Sequence, residues 1–235
     1  MQRRQFIKSS SVTALLAAGL VNVGNSKTQR PQSLNGNKLT PPQNAPIPVA
    51  FALSERATII DFCGPWEVFQ DVNTGSNGGF DLFTVAETTD MIHATAGMKI
   101  VPDYTFETAP IPKIVVIPAQ TGSAALHKYL RRVLDQTDVT MSVCTGAFQL
   151  ARAGLLDGKE ATTHHDFFDR FEQQFPNVKL KRGLRFVEGP KISTAGGLTS
   201  GIDLALRVVE RYFGRKVAEQ TAIYMEYQSK AWMVD

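Results

Sequence analysis

A cysteine that closes an apolar run and is followed at once by small residues is a candidate nucleophile. One segment has that form: Met141-Ser142-Val143-Cys144-Thr145-Gly146-Ala147-Phe148. The run predicts a strand and the small residues predict the opening of a helix. A sharp turn between them lifts the cysteine side chain above a sheet. Free N–H groups and the positive dipole end of the helix favour thiolate there. The Thr145 N–H then points at negative charge developing on a substrate. Taken alone, a strand-end cysteine is more often a small buried apolar residue, so other segments must decide.

The second cysteine is Cys63. Two cysteines exclude a disulfide scaffold and a four-cysteine metal site. A Cys63–Cys144 disulfide would silence the nucleophile, and it needs Cα atoms within about 7 Å. No His-x-x-x-His or Cys-x-x-Cys spacing occurs, so no metal is expected. His164 is followed by His165, and a histidine beside a cysteine can activate it. His164 therefore reads either as pocket-adjacent or as structural. His93 and His127 read as ordinary surface residues. Gly196-Gly197 lacks the full spacing of either phosphate-binding motif, and reads as close packing near the site. Asp61, ahead of Gly64-Pro65, reads locally as a helix N-cap.

These residues need a scaffold. Apolar runs at 47–53, 80–86, 114–117, 139–143 and 191–195 predict strands. Helices are predicted over 64–72 with Pro65 in the first turn, 123–134, 146–153 closed by Gly154, 167–175, 199–213 and 215–227. Residues 98–101 and the polar stretch before them predict a hairpin appended to the sheet. Strands alternating with helices predict a single α/β domain, a parallel sheet with helices on both faces. Its site lies at the carboxyl ends of the strands.

Hydrophobic residues make up 43% of the 235, enough for a packed core and against global disorder. The formal charge of +3 misleads, because residues 1–44 hold six basic residues and no acidic one. The remainder has 19 basic and 22 acidic residues, a net of −3, so no nucleic-acid footprint is expected. Arg3-Arg4-Gln5-Phe6-Ile7-Lys8 followed by a short apolar stretch predicts a twin-arginine-type signal over residues 1–25. The apolar stretch is too short for a stable membrane span. Residues 26–46 read as a flexible linker. Together these predict a cytoplasmic precursor and a periplasmic mature protein.

Four ordered segments reverse the bland reading of Cys144. They are Asp61-Phe62-Cys63-Gly64-Pro65-Trp66-Glu67-Val68-Phe69, Val116-Ile117-Pro118, the Cys144 segment continuing to Ala161-Thr162-Thr163-His164, and Thr194-Ala195-Gly196-Gly197-Leu198-Thr199-Ser200-Gly201-Ile202-Asp203. Together, over residues 47–228, they resemble the ThiJ/PfpI superfamily and in particular its isonitrile hydratase branch. The resemblance implies a flavodoxin-like, class I glutamine amidotransferase-like domain, a tail over 229–235, and a homodimer. It implies a cofactor-free hydratase or lyase acting on a small electrophilic carbon. Cys144 attacks the terminal isonitrile carbon to give a thioimidate-like intermediate, and water releases an N-substituted formamide.

Carried over, Asp61 is the acid/base and Thr145 orients the reacting groups. Gly64, Ala119, Gln120, His164 and Gly197 line the substrate pocket. Asp61 is expected to be protonated while Cys144 is thiolate, since two buried negative charges repel. One departure stands out: Ala119-Gln120 replaces the glycine pair usual in the family. Both residues can still present N–H groups, and Gln120 is expected to bring its amide near the pocket. The alternatives are a ligand- or oxidant-sensing protein and a glyoxalase-like enzyme. Regulators of this fold carry AraC-type DNA-binding regions; no helix-turn-helix is expected after the last helix, and an exported protein does not meet DNA. Thr145 stands where the peptidase branch has histidine, which argues against a peptidase.

Overall fold

A computed structural model describes residues 38–43, 45–75 and 78–234. The expected signal and most of the expected linker lie outside the described residues. In chain order the elements are β1 (Ile47–Ala52), α1 (Ile59–Gln70), β2 (Phe80–Ala86), β3 (Ile92–His93), β4 (Lys99–Ile100), β5 (Tyr104–Thr105), β6 (Ile114–Ile117), α2 (Ala124–Val133), β7 (Val139–Ser142), α3 (Gly146–Arg152), β8 (Glu160–Ala161), α4 (Phe168–Gln174), β9 (Lys179–Leu180), β10 (Phe186–Val187), β11 (Ile192–Ala195), α5 (Ser200–Phe213) and α6 (Arg215–Tyr224).

Seven strands form one sheet in the order β10-β11-β7-β6-β1-β2-β5. All neighbours pair in parallel except β10 with β11. Strand periodicity divides the core between the two faces. Ile47, Val49, Phe51 and Leu53 pack with residues of α1, α5 and α6, whereas Ala50 and Ala52 pack with residues of α2, α3 and α4. The result is the expected flavodoxin-like sandwich. From β1 the chain runs outward to β2 and β5, then crosses back to β6, β7 and β11. The crevice at such a reversal is where open α/β sheets place their chemistry.

Several boundaries differ from those the sequence predicts. Helix α1 starts at Ile59, five residues early, so Pro65 lies inside it. Proline cannot donate to the carbonyl four residues back, here that of Asp61. Packing on α5 compensates: a Cβ at Gly64 would lie 2.9 Å from Ile202 Cγ1, so glycine lets the two helices approach. The N-cap position belongs to Thr58, not Asp61. The hairpin of β3 and β4 is a separate two-stranded unit rather than an extension of the sheet. Helix α6 ends at Tyr224, because Glu226 turns left-handed at φ 53° and the Tyr227 N–H bonds back to the Ala222 carbonyl at 2.9 Å.

Residues beyond the expected boundary at 228 pack onto the domain. Trp232 is 1% exposed and its Nε1–H donates to the Ser229 carbonyl at 3.0 Å. Arg215 lies 5.6 Å from the centre of the Trp232 ring and donates to the Val234 carbonyl at 3.1 Å. At the other end, the Leu39 N–H donates to the Arg211 carbonyl at 2.8 Å, so the end of the expected linker also docks. Removing a buried tryptophan side chain leaves a cavity. We expect Trp232→Ala to cost about 3–5 kcal/mol in urea unfolding. A loss below about 1 kcal/mol would return residues 229–234 to the status of a loose tail.

Candidate active site

The turn from β7 into α3 places Cys144 at φ 58°. That left-handed conformation costs a residue with a Cβ about 1–2 kcal/mol. Neighbouring strands hold it there. The Cys144 N–H is shared between the carbonyls of Gly196 at 2.8 Å and Ala195 at 3.2 Å. Its own carbonyl accepts the Thr163 hydroxyl at 2.9 Å. Gly146 must be glycine, because a Cβ there would lie 2.2 Å from the Ile117 carbonyl oxygen. The strand-to-helix elbow read from residues 141–148 is therefore present.

Asp61 reaches the same point from α1. It is 0% exposed and Cys144 is 7% exposed. Asp61 Oδ2 accepts the Ala119 N–H at 3.1 Å, from the chain just beyond β6. Its Oδ1 has no partner of full hydrogen-bond geometry. The Cys144 thiol and the Leu198 N–H act on the same carboxyl. Burial pushes the Asp61 carboxyl up to about 7, against the Ala119 N–H, the Cys144 thiol and the Leu198 N–H, which all favour the anion. Burial, then the negative charge of Asp61, pushes the Cys144 thiol up to about 12, and the N–H groups of Thr145 and Leu198 offset this only in part.

This corrects the expected thiolate. Amide donors at the elbow cannot outweigh desolvation beside a carboxylate. At rest the sulfur is a neutral thiol, and Asp61 is the group that titrates near neutral pH.

The other expected residues sort by geometry. The Ala119 N–H is committed to Asp61, so it is not a spare donor for substrate. The Gln120 side chain turns toward β1, where Nε2 donates to the Ala52 carbonyl at 2.9 Å, while Oε1 is buried without a hydrogen-bond partner. His164 stands beside Gly197: a Cβ on Gly197 would lie 2.1 Å from His164 Cδ2. His164 Nδ1 accepts the Asp166 N–H at 3.2 Å and the ring stacks on His165 at 4.4 Å. No histidine is among the groups that shift Cys144. Gly64 packs on α5 as described. Cys63 and Cys144 are both free, and burial with Glu67 nearby raises the Cys63 thiol.

Four features escape the sequence reading. Leu198, left-handed at φ 53°, supplies the N–H that faces both Asp61 and Cys144. The Gly196-Gly197 pair just before it was the available signal of unusual backbone. Thr163 locks the elbow. His127 is not an ordinary surface residue: its Nε2 lies 2.9 Å from Gln149 Oε1, and Gln149 Nε2 donates to the carbonyls of Gln120 at 3.1 Å and Thr121 at 3.3 Å. Finally, His164, His165 and Asp166 bring three ligand-type atoms within 4.8 Å of one another, a cluster adjacent residues form without any metal-motif spacing.

The raised Asp61 value has a sign that can be tested. Its folded value lies above the ordinary one near 3.8, so the folded state prefers the protonated acid. The stability tied to that proton is complete below about pH 4 and is lost as pH rises through about 7. Asp61→Asn keeps an acceptor for the Ala119 N–H without a charge to bury. We expect mutant-minus-wild-type stability to climb by roughly 2–4 kcal/mol between pH 4 and pH 8. Urea midpoints across that range read it, and a difference flat in pH would remove the buried-acid assignment.

Residues 48–211 match the DJ-1/PfpI family. Isonitrile hydratase of Pseudomonas putida is 28% identical over 187 residues, 77% of this chain and 78% of that protein. The HTH-type transcriptional regulator GbdR of Pseudomonas aeruginosa is 27% identical over 194 residues, 76% of this chain but 50% of the regulator. A ThiJ/PfpI family protein from Pseudomonas syringae superposes with a TM-score of 0.70 at 24% identity, covering 84% of this chain and 82% of the other. Drosophila melanogaster DJ-1beta superposes at 0.68 with 16% identity, over 79% of this chain and all of its own. A family match across most of the chain, on a sheet whose β7–α3 elbow carries the cysteine, settles the classification: the protein belongs to the DJ-1/PfpI family.

Proposed function

We propose that the protein is a cofactor-free, cysteine-dependent hydratase that converts a small isonitrile and water to an N-substituted formamide. The observation that carries this reading is the pairing of the Cys144 thiol with a buried carboxyl, Asp61, rather than with a histidine. A neutral thiol beside a carboxylate can transfer its proton as the sulfur attacks. An isonitrile carbon needs both events, because it accepts a nucleophile and a proton at the same atom.

In the first step the Asp61 carboxylate takes the Cys144 proton and the sulfur bonds to the terminal carbon. Asp61 delivers the proton to that carbon, giving the thioimidate R–N=CH–S–Cys144. In the second step Asp61 takes a proton from water as its oxygen adds to the carbon. The C–S bond then breaks, nitrogen keeps one proton, and Cys144 recovers the other. The N–H groups of Thr145 and Leu198, which act on the sulfur, are placed to support negative charge there.

Incubation with a panel of small isonitriles, read by formamide formation, tests the reading. We expect Cys144→Ala to abolish turnover. Asp61→Asn should lower it by roughly 10²-fold or more, the scale of general acid–base catalysis, while a neutral alkylating agent still labels Cys144. Turnover by Cys144→Ala at the wild-type rate would end the assignment.

The likeness to GbdR supports a second reading, a ligand-sensing domain. In that case ligands protect Cys144 from alkylation without being consumed. The proposal includes homodimer formation and twin-arginine export through Arg3 and Arg4. We expect Arg3→Lys with Arg4→Lys to hold the precursor in the cytoplasm. Normal appearance of the double variant in the periplasm would exclude that route. Among the described residues, no helix is long and apolar enough to cross a membrane.

A further inference from the structure

Next to the nucleophile's successor lies a cavity of about 190 Å³ with Gln120, Thr145, Phe148, Arg152, Phe167 and Arg170 in its lining. Thr145 and Gln120 join it to the site described above. Arg152 comes from the end of α3 and Arg170 from α4. Both guanidinium groups lie against one ring, that of Phe148, at 5.7 and 5.9 Å from its centre. A guanidinium packed on an aromatic ring keeps its N–H edge available for a bidentate partner.

Neither arginine has a carboxylate partner among the described residues. The acids of the neighbouring segment are committed elsewhere. Asp169 and Glu172 both pair with Arg182, at 2.7 and 2.8 Å, and Asp166 pairs with His165 at 3.1 Å. Two unpaired positive charges thus share one small cavity, in a chain whose residues beyond 44 carry a net charge of −3. Like charges held this close repel each other, and an anion between them reverses the sign of that interaction. The volume corresponds to roughly six waters, enough for a short anionic arm and too little for a long one.

We propose that this cavity is an anion subsite: the substrate carries a carboxylate or phosphate that Arg152 and Arg170 hold while its electrophilic carbon meets Cys144. The inference deepens the proposed function and rests on Cys144 as the nucleophile of that site. It narrows the substrate from any small isonitrile to one with an anionic arm. The two arginines act on substrate binding and orientation, not on the proton transfers assigned to Asp61.

The first test does not require turnover. Alkylation rates of Cys144 are compared for iodoacetate against iodoacetamide, and for N-bromoacetylglycine against N-bromoacetylglycinamide, which reaches farther. We expect the anion-to-amide rate ratio for at least one pair to fall roughly tenfold in Arg152→Gln/Arg170→Gln. It should recover in part in the double lysine variant, which restores charge without the fork. Thermal melts of both variants establish that the exposed substitutions leave the fold intact. Ratios unchanged for both pairs overturn the subsite.

Acetate and inorganic phosphate are then tried as protectants of Cys144 against iodoacetamide. The anion effective at the lower concentration identifies the arm, and protection by neither overturns the proposal. Isocyanoacetate against its methyl ester separates the two readings. If neither isonitrile is turned over but the alkylation ratio falls in the variant, the hydratase reading fails and the subsite stands. If both are hydrated with the same selectivity in wild type and variant, the subsite fails and the hydratase reading stands.

Discussion

The left-handed backbone of Cys144 is the constraint on which the site depends. A cysteine in that conformation is strained, and strain persists only where the surroundings over-determine it. Here the ends of β6 and β11 and the loop after β8 do so together. Gly146 lets the elbow press on the Ile117 carbonyl, Ala195 and Gly196 take the Cys144 N–H, and Thr163 takes its carbonyl. The preceding Thr162 N–H donates to Thr194 Oγ1 at 2.8 Å, tying that loop to β11. The motif segments are therefore parts of one hydrogen-bonded frame rather than separate signatures. Leu198, the second left-handed residue of the site, lies at the far end of the same frame.

Inside that frame the ionisable pair is a carboxyl and a thiol, with no histidine acting on the sulfur. Asp61 and Cys144 each oppose ionisation of the other, and burial opposes both. A cysteine–histidine pair can rest as an ion pair, whereas this pair can rest with at most one negative charge. The chemistry that suits it is one in which a proton moves with the attacking sulfur and is returned in the same cycle. A reaction requiring a stable free thiolate would be poorly served.

Much of the scaffold was legible because its central strands are runs of four to seven residues, apolar in β1 and β6 and fully buried in β6, β7 and β11. The two-residue strands β5, β8, β9 and β10 are too short for any periodicity to register. Within the site, the elbow could be read because its determinants are contiguous. The partner of Asp61 could not, because Ala119 lies 58 positions away. Read with its neighbours alone, Asp61 looked like a cap. The thiolate expectation failed for a related reason: spacing shows a helix start, but desolvation is a property of the assembled core. Arg152 and Arg170 were invisible as a pair, since exposed arginines on two helices look like ordinary solvated faces until Phe148 places them together.

The neutral state of the thiol has a consequence for how the protein survives. Burial and the charge of Asp61 both raise the Cys144 thiol, so the neutral form is favoured until the proton is drawn off. Peroxides and mixed disulfides react with the thiolate, so raising the thiol slows both. Cysteines that register oxidants have the opposite electrostatics. The Asp61 charge thus disfavours the form of the sulfur that oxidants attack, and the same carboxyl is the group within reach to take its proton when an electrophile is engaged.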